Sequence, residues 1–465
     1  MVFSSFIFLC FFLPVVLIGH TAAKNQMFKN GLLALASLCF YAFGEPVYVL
    51  LLIASVIMNR FFGIGVSGKR AGLFLRLAII CNLSLLFIFK YLDFVTAGIN
   101  RLTGSNIPLT KLSLPIGISF YTFQALSYVI DVYRGKSEAQ RSFFKLFLYI
   151  SFFPQLIAGP IVKYHDIAKQ INVRRADAKM ICEGIYRFTC GLAKKILIAN
   201  VFAYAADTVY ALESGRVGML AAWIGAISYL FQIYFDFSGY SDMAIGLGKM
   251  FGFSFAENFN YPYIAESVRD FWHRWHISLS TWFKEYLYIP LGGNRKGKLR
   301  TIINRYIVFA ATGIWHGANF TFLVWGLFHG TLLVLEGENV IPVKKCRFRL
   351  LNRIYTLLAV TLGFVIFRAE SLSQAGGMIA AMFGFGAKGI NTEAMEFLTP
   401  FYLLMLIVAT AGAGDLVKKA VLGIKKRLPE NAAEICAMLS SLLLVALCFM
   451  RLASESYNPF IYFRF

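Results

Sequence analysis

Two histidines, His316 and His329, lie in a stretch from Tyr306 to Leu335 that contains no Lys, Arg, Asp or Glu. An uncharged run of this length enters a bilayer. An imidazole inside it is costly to desolvate unless the fold supplies a partner or a water-filled cavity, so an intramembrane histidine is a functional candidate by default. His316 stands in Gly313-Ile314-Trp315-His316-Gly317-Ala318, where small neighbours let a ligand approach the ring. A second histidine group lies upstream in Phe271-Trp272-His273-Arg274-Trp275-His276-Ile277-Ser278-Leu279-Ser280-Thr281-Trp282. An interfacial anchor helix would account for the tryptophans and cations, but it gives His276 nothing to do. His273 and His276, at i and i+3, would share one helix face. No cysteine or carboxylate at ligand spacing completes a metal site beside them, so no metal is expected. There is no Gly-x-Ser-x-Gly elbow and no Gly-x-x-x-x-Gly-Lys-Ser/Thr phosphate loop, which argues against a serine hydrolase and against ATP hydrolysis. What remains is His276 and His316, suited to general acid–base work near neutral pH.

The elements that must position these rings are membrane helices. Of the 465 residues 58% are hydrophobic and only 15% charged, against about 45–50% and about 25% in soluble domains. The net charge of +21 comes from Lys and Arg in short loops between apolar runs. This is the positive-inside pattern, and basic loops facing anionic lipid need no nucleic acid. Uncharged spans mark helices at Val2–Gly19, Val217–Phe235, Tyr306–Leu335 (more than one segment), Ile354–Phe367, Phe397–Gly414 and Ile435–Met450. Shorter or broken spans lie at Leu32–Phe43, Val47–Asn59, Leu77–Phe89, Leu114–Ile130, Leu146–Val162 and Ile181–Phe202. About 11–13 membrane-embedded helices are expected, some of them re-entrant. Breaks at Pro115/Gly117 and at Pro154/Gly159/Pro160 either are proline kinks or mark re-entrant backbone around an internal cavity. Val217–Phe235 is expected to close at the carboxylates of Asp236 and Asp242.

The basic groups Lys69/Arg70/Arg76, Lys163/Lys169/Arg174/Arg175, Lys284/Arg295/Lys296/Lys298/Arg300, Lys344/Lys345/Arg347/Arg349 and Lys418/Lys419/Lys425/Lys426/Arg427 are placed in the cytoplasm. The N-terminus, segment 368–396 and the tail 451–465 are then outside. Met1–Gly19 lacks the basic n-region of a secretory signal, its first charge being Lys24, and reads as a retained first helix. Most of the eight cysteines lie inside apolar runs and none forms a CxxC pair. Neither a disulfide framework nor a cysteine metal site is expected.

Several strings resemble the membrane-bound O-acyltransferase (MBOAT) superfamily, and within it the bacterial alginate O-acetyltransferase family. They are Tyr234-Phe235-Asp236-Phe237-Ser238-Gly239-Tyr240-Ser241-Asp242-Met243-Ala244, Arg274-Trp275-His276-Ile277-Ser278-Leu279-Ser280, Tyr286-Leu287-Tyr288-Ile289-Pro290-Leu291-Gly292-Gly293-Asn294-Arg295 and the His316 string. Weaker echoes run through Leu114–Gln124 and Gln155–Pro160. The resemblance implies a single all-α polytopic domain over 1–465, with a central tunnel. It implies His316 as the catalytic histidine and His276 as a second site residue reached from the cytoplasm. His273 stands where the family more often has Arg, so no role is carried over to it.

The resemblance further implies an acyl group moved from a cytoplasmic thioester, acetyl-CoA, toward an alginate-like cell-surface polysaccharide. No tightly bound cofactor is implied. The partner implied is an extracytoplasmic SGNH-hydrolase-like acyltransferase, and the place a bacterial inner membrane. The chain closes on Phe460-Ile461-Tyr462-Phe463-Arg464-Phe465, which is either an aromatic interfacial belt or, by resemblance to the aromatic tail of envelope acylation systems, an acyl relay through Tyr462. The rivals are D-alanyl transfer to teichoic acid from a carrier-protein thioester, and a transporter or flippase without acyl chemistry.

Overall fold

A computed structural model describes residues 1–343, 346–387 and 396–454. Lys344, Lys345, part of segment 368–396, and Tyr462 with the rest of the aromatic tail lie outside them. Every described element is a helix. Eight helices are long and apolar enough to cross a membrane, or nine if Pro400–Ala413 and Leu416–Arg427, bent by 71°, count as one broken span. The other apolar helices are short, as at Phe8–Ala22 and Ile118–Tyr133. The chain is a multi-pass membrane protein.

The described chain divides into two compact units, Met1–Phe188 with Tyr240–Ala256, and Thr189–Gly239 with Glu257–Phe465. In the first unit Asn59 and Asn82 exchange amide hydrogen bonds of 3.1 and 2.8 Å between the Tyr48–Gly65 and Ala71–Lys90 helices. This satisfies two buried polar side chains. The break before Ile118 is built on Gly117, at φ +78, where an added Cβ would lie 2.6 Å from the Leu156 carbonyl oxygen. Only glycine takes that conformation and that approach together.

The apolar run from Val217 does not stop at its carboxylates. The helix continues from Met219 to Met250, carrying Asp236 and Asp242 inside it. Helix is retained because each acid meets a cation from the 178–211 helix. In the second unit Lys195 Nζ lies 2.9 Å from Asp236 Oδ1, both side chains nearly inaccessible at 4% and 2%. In the first unit Arg187 pairs with Asp242 at 2.6 Å. Glycines allow the approach: a Cβ on Gly239 would lie 2.8 Å from the Gly191 carbonyl oxygen, and one on Gly246 2.6 Å from that of Gly184.

In the second unit the Tyr306–Leu335 run is two helices, Lys298–His316 and Phe320–Gly337, folded against each other. Gly326 and Gly330 on the second helix have the small-xxx-small spacing that lets membrane helices touch backbone to backbone, and Gly313 on the first faces Gly326. A Cβ on Gly313 would collide with the Phe322 carbonyl oxygen, and one on Gly326 with that of Phe309. His316 is the last residue before the turn, so this contact sets where its ring sits.

Two outcomes follow from this packing. Gly326→Leu is expected to cost at least about 1–3 kcal/mol through overpacking, read as a lower thermal midpoint of the purified protein; an unchanged midpoint would contradict the close approach. Asp236→Ala, which strands Lys195, is expected to destabilise by about 3–5 kcal/mol. The double change Lys195→Met/Asp236→Leu should be milder, as measured by membrane abundance and thermal midpoint.

Candidate functional site

The structure separates the two upstream histidines. The Val268–Arg274 helix ends before Trp275, and His276 takes a left-handed conformation, φ 41 and ψ 55, ahead of the Ile277–Phe283 helix. His273 and His276 therefore share no helix face, contrary to the spacing argument; the turn at Trp275–His276 breaks the period. A non-glycine residue in this region is held there by its surroundings, a common property of functional sites. Here the surroundings are the 258–260 segment: Asn260 N–H donates to the Arg274 carbonyl (2.9 Å), and Ile277 N–H donates to that of Asn258 (3.0 Å).

The same segment holds the ring. His276 Nδ1 lies 3.1 Å from Asn258 Oδ1, which also accepts from Ser278 N–H (3.2 Å) and Ser278 Oγ–H (2.9 Å). Phe237 packs edge-on at 4.7 Å between centroids, and Trp315 lies at 6.3 Å. Nε2 is buried and has no hydrogen-bond partner among the described residues. His276 lies outside the candidate spans, and burial without a compensating anion pushes its pKa down to about 3. The ring is neutral at physiological pH.

His316 is reached from the other side. It ends the Lys298–His316 helix; Gly317 then runs extended, and Asn319 caps the next helix through Thr321 N–H at 3.1 Å. Its ring packs edge-on against Trp315, Trp325 and Phe367, with centroids 5.0, 5.2 and 5.1 Å away. It keeps 7% of its surface accessible. Trp315 thus neighbours both imidazoles: it precedes His316 in the chain, and the fold brings it to His276, 39 positions upstream. Tyr462 lies outside the described residues.

His329, the other imidazole of the uncharged run, has a different setting. It is fully buried among Phe271, Trp272, Trp325 and Phe328. A Cβ on Gly363 would lie 2.6 Å from its Nε2. Its ring packs helices together.

Two residues that sequence reasoning missed build this arrangement. Asn258 stands in Asn258-Phe259-Asn260-Tyr261-Pro262-Tyr263, where nothing in the spacing links it to His276. Glu336, at the end of its apolar helix, accepts from the Val268 and Arg269 N–H groups at 2.7 and 3.1 Å. It covers the positive end of the Val268–Arg274 helix, whose Trp272 packs against Trp325 at 5.7 Å.

Residues 138–372 match the model of MBOAT, the membrane-bound O-acyltransferase family, a range that contains Asn258, His276 and His316. The chain is similar to the "Probable alginate O-acetylase AlgI" of Pseudomonas putida, with 40% identity over all of both chains. It is similar to the peptidoglycan O-acetyltransferase of Helicobacter pylori, with 35% identity over 100% of this chain and 98% of that one. To the teichoic acid D-alanyltransferase of Bacillus subtilis it is 25% identical over 78% of this chain and 94% of the relative. A family match across half the chain, full-length likeness to O-acetylases and a multi-pass helical fold agree: the chain belongs to the membrane-bound O-acyltransferase family and is an O-acyltransferase.

Proposed function

We propose that the protein takes an acetyl group from acetyl-CoA on the cytoplasmic side of a bacterial inner membrane and delivers it for O-acetylation of a cell-surface polysaccharide. The observation that carries this is the convergence of His276 and His316 on Trp315 inside an aromatic interior. Both imidazoles flank one indole in a buried place, where electrostatic interactions are strong. In this reading His316 is the general base. The acceptor hydroxyl oxygen attacks the thioester carbonyl carbon while its proton passes to His316. The tetrahedral intermediate then expels the thiolate as the C–S bond breaks, and the thiolate recovers that proton. The carbonyl end of the Lys298–His316 helix favours positive charge on a ring placed there, which suits an imidazolium formed in passing.

The cationic loops, such as Lys284 to Arg300, supply the field that draws a phosphate-bearing donor to the cytoplasmic face. Higher identity to O-acetylases than to the D-alanyltransferase supports acetyl as the group moved. Membership of an enzyme family sets the transporter reading aside. Onward transfer is assigned to an extracytoplasmic SGNH-hydrolase-like acyltransferase, with Tyr462 as a relay. A phenyl ester there would have a better leaving group than an alkyl ester, so passage to a sugar hydroxyl is downhill.

His316→Ala should lower CoA release from acetyl-CoA by at least about 100-fold at unchanged membrane abundance. Turnover near the parent rate would remove the mechanism. After incubation with isotopically labelled acetyl-CoA, mass spectrometry should find the label on the C-terminal peptide, and Tyr462→Phe should abolish it. Normal polymer acetylation by Tyr462→Phe at normal protein levels would remove the relay and leave the histidine chemistry standing.

A further inference from the structure

We infer that Asn258 is a positioning residue that holds His276 with its ring proton on Nδ1, so that the bare Nε2 serves the site as a hydrogen-bond acceptor for a substrate N–H or O–H. The inference deepens the acyl-transfer reading and rests on it.

The argument begins with the orientation of one amide. The two ends of an asparagine side chain are distinguished by their partners, not by their shape. Ser278 N–H can only donate, and it points at the same Asn258 atom as Ser278 Oγ, at 3.2 and 2.9 Å. That atom is therefore the carbonyl oxygen. A carbonyl oxygen only accepts, so the imidazole nitrogen 3.1 Å away must present a proton. An unprotonated Nδ1 would set two lone pairs against each other in a buried place. A neutral imidazole carries one proton, so Nε2 holds the lone pair. It faces the interior with no hydrogen-bond partner among the described residues, although a buried acceptor left unpaired costs about 1–3 kcal/mol. A substrate hydrogen at that nitrogen recovers the cost. The pantetheine arm of a CoA thioester offers amide N–H groups, and the acyl acceptor offers an O–H.

The assignment changes what His276 can do. Donating to a developing oxyanion needs the proton on Nε2, which the Asn258 contact disfavours; accepting needs the tautomer this contact enforces. The left-handed backbone at His276 and the pairing of 258–260 with 274–277 hold the amide and the ring in register. The groups facing the ring are Phe237, Trp315 and the Ser278 hydroxyl, none of them titratable near neutral pH; Ser278 Oγ lies 3.5 Å from Nδ1 but gives its proton to Asn258 Oδ1 at 2.9 Å. His316 lies beyond Trp315, and the Lys195–Asp236 ion pair is one residue from Phe237.

The test compares Asn258→Leu with Asn258→Asp in the full-length detergent-solubilised protein, using acetyl-CoA as the probe and CoA release as the readout across pH. Asn258→Leu frees the tautomer and should lower kcat/KM by about 10²–10⁴-fold, as a wrong histidine tautomer does elsewhere. Asn258→Asp keeps an accepting oxygen for Ser278 and for the ring, so the fold is preserved. Its negative charge favours the imidazolium, in which Nε2 no longer accepts. The acid limb of its pH–rate profile should move up by about one pH unit or more, with activity recovering at higher pH to within about tenfold of the parent. An unmoved acid limb, an Asn258→Asp enzyme as weak as Asn258→Leu at every pH, or full activity in Asn258→Leu would each overturn the inference. His316→Ala separates the levels: if it is inactive while the Asn258 series fails, only the tautomer assignment falls; if it is active, the acyl-transfer reading falls with it.

Discussion

A charged side chain buried in this protein is costly unless another group compensates it, and that constraint shapes the rest of the structure. Backbone groups are satisfied by helix formation. Several buried side-chain charges are compensated by a charge on another helix. Lys195 meets Asp236, Arg187 meets Asp242 and Arg368 meets Asp207, the last at 2.8 Å. An unpaired charge in such surroundings costs several kcal/mol, so each pair fixes the register of the helices that carry it. The Met219–Met250 helix is the clearest case: two acids that would otherwise end a membrane run are carried within it because cations on another helix reach them.

Close backbone approach is the second consequence. In lipid, association gains little from apolar burial and depends on contact area and small residues. Gly313, Gly326 and Gly363 each face an atom that a methyl group would strike. The first two join the halves of the hairpin that carries His316; the third presses the Arg349–Arg368 helix onto His329. Bulky aromatic rings then fill the remaining space around the imidazoles, so the site is held by tight contact on one side and by a cluster of Trp and Phe on the other.

Much of this was legible in the sequence, for physical reasons. Uncharged length gives spans, and an imidazole in an uncharged run attracts attention whatever the fold. The chain from Tyr306 to Leu335 yielded both its helices and its catalytic candidate this way. What stayed hidden depends on partners distant along the chain. Two carboxylates, Asp236 and Asp242, read in the sequence as the close of the Val217 run; Lys195 and Arg187, 41 and 55 positions upstream, cancel that expectation. His273 and His276 looked like one helix face because periodicity cannot see a left-handed residue. Asn258 had no signal of its own, since a short amide becomes informative only when the ring it touches is known.

The contrast between the two histidines of the uncharged run shows what makes an imidazole useful. His316 and His329 both contact Trp325, at 5.2 and 5.3 Å between centroids, and both sit among aromatics. His329 is in mid-helix, where the i to i−4 ladder leaves no gap and a neighbouring glycine seals its far side. His316 is the last residue of a helix, followed by Gly317 in extended conformation and by Ala318, so the chain turns away beside the ring. A membrane enzyme needs a break in regular backbone to make room for chemistry, and such a break is tolerated only when buried in protein or open to water. The Gly317–Asn319 break is flanked by the Phe322 ring against Gly317 and by the Asn319 amide, which donates to the Glu370 carbonyl at 2.8 Å. The position of the break, more than the identity of the side chain, is what distinguishes the imidazole assigned to catalysis from the one that packs.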